Sequence, residues 1–211
     1  MLLTFRYARR LCPLGYVIST FDFGGSGSGK STGRKSTDMS VITEKEDLAA
    51  VLDYIKSLSF VDKNHIVLGG CLQGGLVTAL LASERRDEIE KIFLYYPAFN
   101  IPDDARHGCM LGRRIDLNNI PESFTVMHCI KLGKKNVEDV INLEPWKELC
   151  AFDKPILICH GTADGIVNIS YAREAAEKYT KCKLVEIVDT KHLSLNKGAK
   201  AIYQKQQKLQ F

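Results

Sequence analysis

Residues His65–Ala82 read HIVLGGCLQGGLVTALLA. The apolar run from His65 to Gly69 has the character of a buried strand, and the run from Gly74 to Glu84 that of a helix. Between them lies a short turn flanked by glycines, Gly69-Gly70-Cys71-Leu72-Gln73-Gly74-Gly75. A strand, a tight turn and then a helix is the geometry of a nucleophile elbow, G-x-S-x-G. Glycines are needed there because the turn is strained and the helix must pass close to the strand. Aligned on Gly70 and Gly74, the apex falls on Leu72, whose side chain has no lone pair to give.

Outward from this stretch, apolar runs alternate with helical periods. Tyr16 to Phe23 (YVISTFDF) reads as a strand ended by a Gly/Ser loop. Thr43 to Leu58 reads as a helix. Thr43 and Glu46 match a capping box, and Leu48, Val51, Leu52, Ile55 and Leu58 fall on one face. Further strands are expected at Ile92–Tyr96, Pro155–His160 and Lys183–Val188, with helices at Ser170–Tyr179 and from about Lys197 to Lys208. From Ala98 to about Lys154 the periodicity weakens, and Pro102 to Pro145 reads as an excursion from the main sheet. Strands separated by helices imply βαβ units with right-handed crossovers and helices on both faces, so the fold class is α/β.

Two later segments bear on the elbow. Asp164 lies in His160-Gly161-Thr162-Ala163-Asp164, after the fourth strand, and His192 closes the short loop after the fifth. Ligands of open α/β folds bind at the carboxyl edge of the sheet, where both residues are expected. Elbow, acid and histidine succeed one another in triad order, the carboxylate orienting the imidazole and the imidazole taking the nucleophile's proton. His160 reads as structural. A second glycine-rich loop, Gly24 to Ser31, satisfies GxxxxGK[ST] letter for letter. A phosphate cradle built on Lys30 and Ser31 also needs a helix starting at the lysine. The next residues are Thr32-Gly33-Arg34-Lys35, without apolar periodicity before Val41, so a flexible Gly/Ser loop is the preferred reading.

Composition removes other classes. The 211 residues suit one domain, and 45% hydrophobic with 26% charged residues is ordinary for a globular chain. Twenty-nine Lys and Arg against 25 Asp and Glu leave a net charge of +4 with no basic block, which argues against nucleic acid. Seven cysteines without a CxxC pair or zinc-type spacing read as reduced thiols in a cytoplasmic protein, with no metal. No apolar run is long enough to span a membrane, and the N-terminus does not read as a signal peptide.

FDFGGSGSGKSTG (Phe21–Gly33) resembles the FDFxGHGxSxG segment of α/β-hydrolases of the serine-aminopeptidase/lipase type. VITEKEDLAAVLDYIKSL, the elbow stretch, IFLYYPAF, ILICHGTADGIVNI and the His192 loop then come in that group's order. The chain is most similar to the bacterial feruloyl/cinnamoyl esterases. The resemblance implies an α/β-hydrolase fold: core residues 1–97, a cap inserted at 98–146, and core residues 147–211 carrying the acid and the histidine. It implies hydrolysis of carboxylic esters through an acyl-enzyme, hydroxycinnamate esters as substrates, no cofactor, and no nucleic-acid or membrane partner, and it is compatible with a homodimer. It places Leu72 at the nucleophile position, Asp164 and His192 as its partners, the Gln73 N–H as an oxyanion donor, and Glu122 where the cap faces the substrate ring.

The chain departs from the pattern in two ways. Leu72 replaces the serine, with Cys71 before it, and the strand pair and His-Gly oxyanion loop that open the family's fold are not found ahead of the first helix. Three expectations therefore stand side by side: a family member with lost or impaired hydrolysis, a live hydrolase using Cys71 or a serine elsewhere, and a non-catalytic module that binds a ligand or partner.

Overall fold

The computed structural model describes residues 9, 11–26 and 32–192. Its centre is a parallel sheet of four strands, β1 (Val67–Cys71), β2 (Lys91–Tyr95), β7 (Ile156–Gly161) and β8 (Cys182–Ile187), ordered β1-β2-β7-β8. The register runs Val67 opposite Lys91, Ile92 opposite Ile156 and Ile156 opposite Cys182. Helices α1 (Val41–Ser57), α2 (Gln73–Glu84) and α6 (Ile169–Lys178) connect and flank the strands. This is the arrangement of an α/β-hydrolase fold.

Strand alternation separates two apolar layers. Ile92, Leu94, Ile156 and Ile158 point into the main core, which also holds residues of α1, α2 and α6. Tyr95, Leu157, Cys159 and Val185 point the other way and form a second buried cluster, against which Leu72 and Cys71 pack. Helix α2 is buried from Gly75 to Ala82, as its apolar circumference requires. Truncating a fully buried leucine there, such as Leu76 or Leu81, costs about 2–5 kcal/mol.

Three sequence expectations need correction. Residues 16–23 form no strand. A strand exists only through its ladder partners, and among the described residues β1 pairs on one side alone, with β2. Phe21 and Phe23 nonetheless pack edge to face at 5.0 Å against the core. Second, the cap of α1 is Ser40, not Thr43. Ser40 is extended, its Oγ accepts the Thr43 N–H at 3.3 Å, and its own N–H donates to Thr43 Oγ1 at 2.9 Å. Thr43 is already inside the first turn and acts as the return half of the box. Third, the elbow strand runs to Cys71 and its helix starts at Gln73, closing the expected turn to Leu72 alone. The helix expected at Lys197–Lys208 lies outside the described residues, as does Gly27–Ser31 of the Gly/Ser loop.

Between β2 and β7 the chain is more regular than its sequence suggested. It holds α3 (Ile101–Arg106), the hairpins β3–β4 (Cys109–Met110, Arg113–Arg114) and β5–β6 (Ser123–Val126, Ile130–Gly133), then α4 (Lys135–Ile141) and α5 (Pro145–Leu149). The first hairpin turns through Leu111 and Gly112, both at positive φ, as two-residue primed turns demand. Such short elements carry too few residues to show a period.

Candidate active site

Backbone geometry puts the apex of the turn at residue 72. Leu72 has φ 54° and ψ −126°, a region that branched residues rarely occupy and that is held only where the surroundings over-determine it. Its N–H donates to the Tyr95 carbonyl at 3.1 Å, and its carbonyl accepts the N–H groups of Gly75 and Ala98 at 2.9 Å each. Sterics fix the flanks. A Cβ on Gly70 would lie 2.1 Å from the Gly74 carbonyl oxygen, and one on Gly75 2.8 Å from Pro97 Cβ. At Gly74 the nearest atom would be a Phe23 ring carbon at 3.7 Å, an ordinary contact.

Cys71 is not at the apex. It ends β1 opposite Tyr95. Burial pushes its thiol up, more than a hydrogen bond with Tyr96 brings it down. A thiol held neutral in the strand is a poor nucleophile, which weighs against the cysteine route. The backbone N–H of Gln73, at the first position of α2, has no acceptor within its own helix.

The acid and the base meet. Asp164 Oδ1 accepts the N–H groups of Ile166 and Val167 at 2.9 and 3.0 Å, and Oδ2 accepts from His192 Nδ1 at 2.7 Å. Their side chains are 1% and 6% exposed. Burial alone would raise the Asp164 carboxyl, but the His192 bond and the two backbone bonds outweigh it, and the group sits below its ordinary value. The loop bringing His192 here is laced to β7 through the backbone. Thr190 O accepts from Ala163 N at 3.2 Å, Asp189 N donates to Thr162 Oγ1 at 2.9 Å, and Thr162 N donates to Ile187 O at 3.1 Å. Gly161 permits this approach, since a Cβ would lie 2.1 Å from Thr190 O.

Three further groups gather here, of which the sequence signals only His160, and that as structural. His160 lies beneath the dyad, Nε2 donating to Val167 O at 3.0 Å and standing 3.4 Å from Asp164 Oδ2; burial lowers its pKa, which keeps it neutral. Tyr96, at φ 37°, sets its ring 4.6 Å from the His192 ring and so links Cys71 to the dyad. Glu44, in the first turn of α1, is 3% exposed, hydrogen-bonds the Gln73 side chain, and is pushed up to about 7 by burial. An acidic residue early in a helix reads from sequence as a partner of the helix dipole, which hid the burial.

Glu122 stands apart. Its carboxylate is 84% exposed and pairs with Lys134 at 2.8 Å. The flanks of the Gly/Ser loop are tied to α1: Gly24 N and Arg34 Nη1 both donate to Asp47 Oδ2, at 2.8 and 2.7 Å, and among the described residues the first α-helix after it starts at Val41. Among the described residues no group of three or more His, Cys, Asp or Glu gathers as a metal site, and no helix is long and apolar enough to cross a membrane.

Residues 4–211 match the model of the prolyl oligopeptidase family. The chain is similar to Est1E from Butyrivibrio proteoclasticus in a structure with ferulic acid bound: 32% identity, TM-score 0.81, covering 89% of this chain and 74% of that one. A second Est1E structure gives 30% identity and TM-score 0.75, covering 81% and 71%. Mouse alpha/beta hydrolase domain-containing protein 10, at 14% identity and TM-score 0.75 over 98% of this chain and 83% of that one, shares the fold. No match was found among curated proteins.

Proposed function

Since the chain belongs to the prolyl oligopeptidase family, within the α/β-hydrolases, we propose that it is an esterase-type member that binds an aryl acyl ligand but forms no acyl-enzyme. The carrying observation is the elbow apex at φ 54°, ψ −126°, occupied by a leucine beside an assembled Asp164–His192 pair. In a working triad the imidazole draws a proton from the apex hydroxyl, which then attacks the ester carbonyl while backbone N–H groups hold the oxyanion. Here the base and the Gln73 N–H remain, and the attacking atom is missing. The ferulic acid bound in the Est1E structure supports a hydroxycinnamate-like ligand, with residues 98–146 as its cap. No disulfide joins any of the seven cysteines, which supports a reducing, cytoplasmic setting.

Hydrolysis of methyl ferulate and 4-nitrophenyl acetate by the parent and by Leu72→Ser tests this reading. Loss of a triad nucleophile costs about 10⁶ in kcat, with roughly 10³–10⁴ over water surviving from the rest of the site. The parent is expected to show no more than that residual rate, and Leu72→Ser to gain at least about 10²-fold. Turnover by the parent that disappears on Cys71→Ala would sink the proposal.

A further inference from the structure

His192 donates through Nδ1 to Asp164, so Nε2 carries the ring's lone pair and points away from the carboxylate. That nitrogen is fully buried and has no hydrogen-bond partner among the described residues, in a side chain only 6% exposed. A buried acceptor left unmet in this way carries its full desolvation penalty. The usual donor would be the apex hydroxyl, and Leu72 has none. The Gln73 N–H, on the same turn, is a donor without a helical acceptor, at the end of α2 where the helix dipole favours negative charge. Tyr96 lies between the dyad and the elbow, touching the His192 ring and the Cys71 thiol in the cluster against which Leu72 packs.

A donor N–H and an acceptor nitrogen are the complement of one group, a carboxyl, whose C=O accepts and whose O–H donates. We propose that the apex site takes a free carboxylic acid, of the hydroxycinnamic type, in preference to its ester. The inference rests on the aryl-acyl reading above and names which acyl form is bound. The acid's O–H supplies to Nε2 the proton that residue 72 lacks, and its carbonyl accepts from Gln73. The Asp164 carboxylate on the far side of the ring favours the charged imidazole, so the proton rests on Nε2 and the complex is an imidazolium–carboxylate pair. No bond other than O–H breaks, and none other than N–H forms. An ester has no proton to give and leaves Nε2 unmet.

The proton makes the claim measurable. In alkaline solution the free acid is ionised, so each binding event takes up one proton, and affinity falls by up to tenfold per pH unit. The titratable groups facing the imidazole are Asp164 from the loop after β7, His160 on β7 and Tyr96 after β2, with the Cys71 thiol beyond Tyr96.

The experiment is calorimetric titration of the unmodified protein with ferulic acid and with methyl ferulate at pH 7.5 and 8.5, in buffers of different ionisation enthalpy. The acid is expected to bind at least about tenfold more tightly, with one proton taken up per site at pH 8.5, and His192→Phe is expected to erase both effects. The measurements on the unmodified chain decide the matter should that variant not fold. Acid binding without proton uptake, or an ester bound as tightly as the acid, overturns this inference and leaves the aryl-acyl reading standing. Failure of both ligands to bind overturns the two together.

Discussion

Replacing Glu44 by glutamine is expected to raise stability by no more than about 1 kcal/mol at pH 5 and by about 3 kcal/mol at pH 9. The side chain is 3% exposed, its Oε2 has no partner among the described residues, and burial lifts its pKa from 4.5 to about 7. Between those values the native state holds a proton that the unfolded chain has released. Stability contributed by the neutral carboxyl is therefore complete below the lower value and is lost as pH rises through the upper one. At 1.36 kcal/mol per pKa unit the difference amounts to about 3 kcal/mol, on the order of 10 °C in Tm for a chain of this length. Glutamine has the same shape, keeps a partner for Gln73 and never ionises. Urea titrations of parent and Glu44→Gln at pH 5, 7 and 9 read the gap directly. A gap that stays flat across that range, or favours the parent at pH 9, would refute the reasoning and place Glu44 in contact with water or with an unrecognised cation.

Alanine at two neighbouring glycines should behave in opposite ways. Gly70→Ala drives a Cβ to 2.1 Å of a backbone oxygen and is expected to abolish soluble expression or lower stability by at least ~3 kcal/mol, whereas Gly74→Ala meets only a ring carbon at 3.7 Å and should shift it by less than ~1 kcal/mol; equal effects by thermal melting would misplace the apex. Iodoacetamide labelling at neutral pH, with peptide mass spectrometry as the readout, should modify exposed Cys12, Cys129 and Cys150 well before Cys71, whose thiol burial pushes up. Early labelling of Cys71 would revive the cysteine route.

Legibility in the sequence depended on where the constraints are local. The elbow could be read because a strand, a glycine that must clear a carbonyl and an apolar helix lie side by side in the chain. Asp164 and His192 could be read because each sits just past an apolar run. Tyr16–Phe23 looks equally apolar, but a strand is a relation between segments, and its own letters say nothing about the neighbour it does not find. Thr43 looked like the cap of α1 because Glu46 completes a box; Ser40 takes that role by being extended, which one-residue patterns do not encode. Glu44 was invisible for the same reason, its burial being created by α2, far away in sequence; His160 could be read as structural, but not as lying against Asp164.

The backbone lacing between Thr190 and the end of β7 has a kinetic consequence. β8, to which His192 owes its place, and β1 are each paired on one side only among the described residues, but the elbow that ends β1 is also pinned by α2 deep in the core. Sub-global openings reach edges before centres. Fraying of β8 would scatter the base from its acid while the turn at residue 72 stays folded, and amide protons at Asp189 and Ala163 would exchange with solvent long before those of Leu72 and Gly75. Competence at this site is then a property of the sheet's rim: heat, denaturant or a weakened β7–β8 ladder would switch it off in a molecule that every global probe still reports as native.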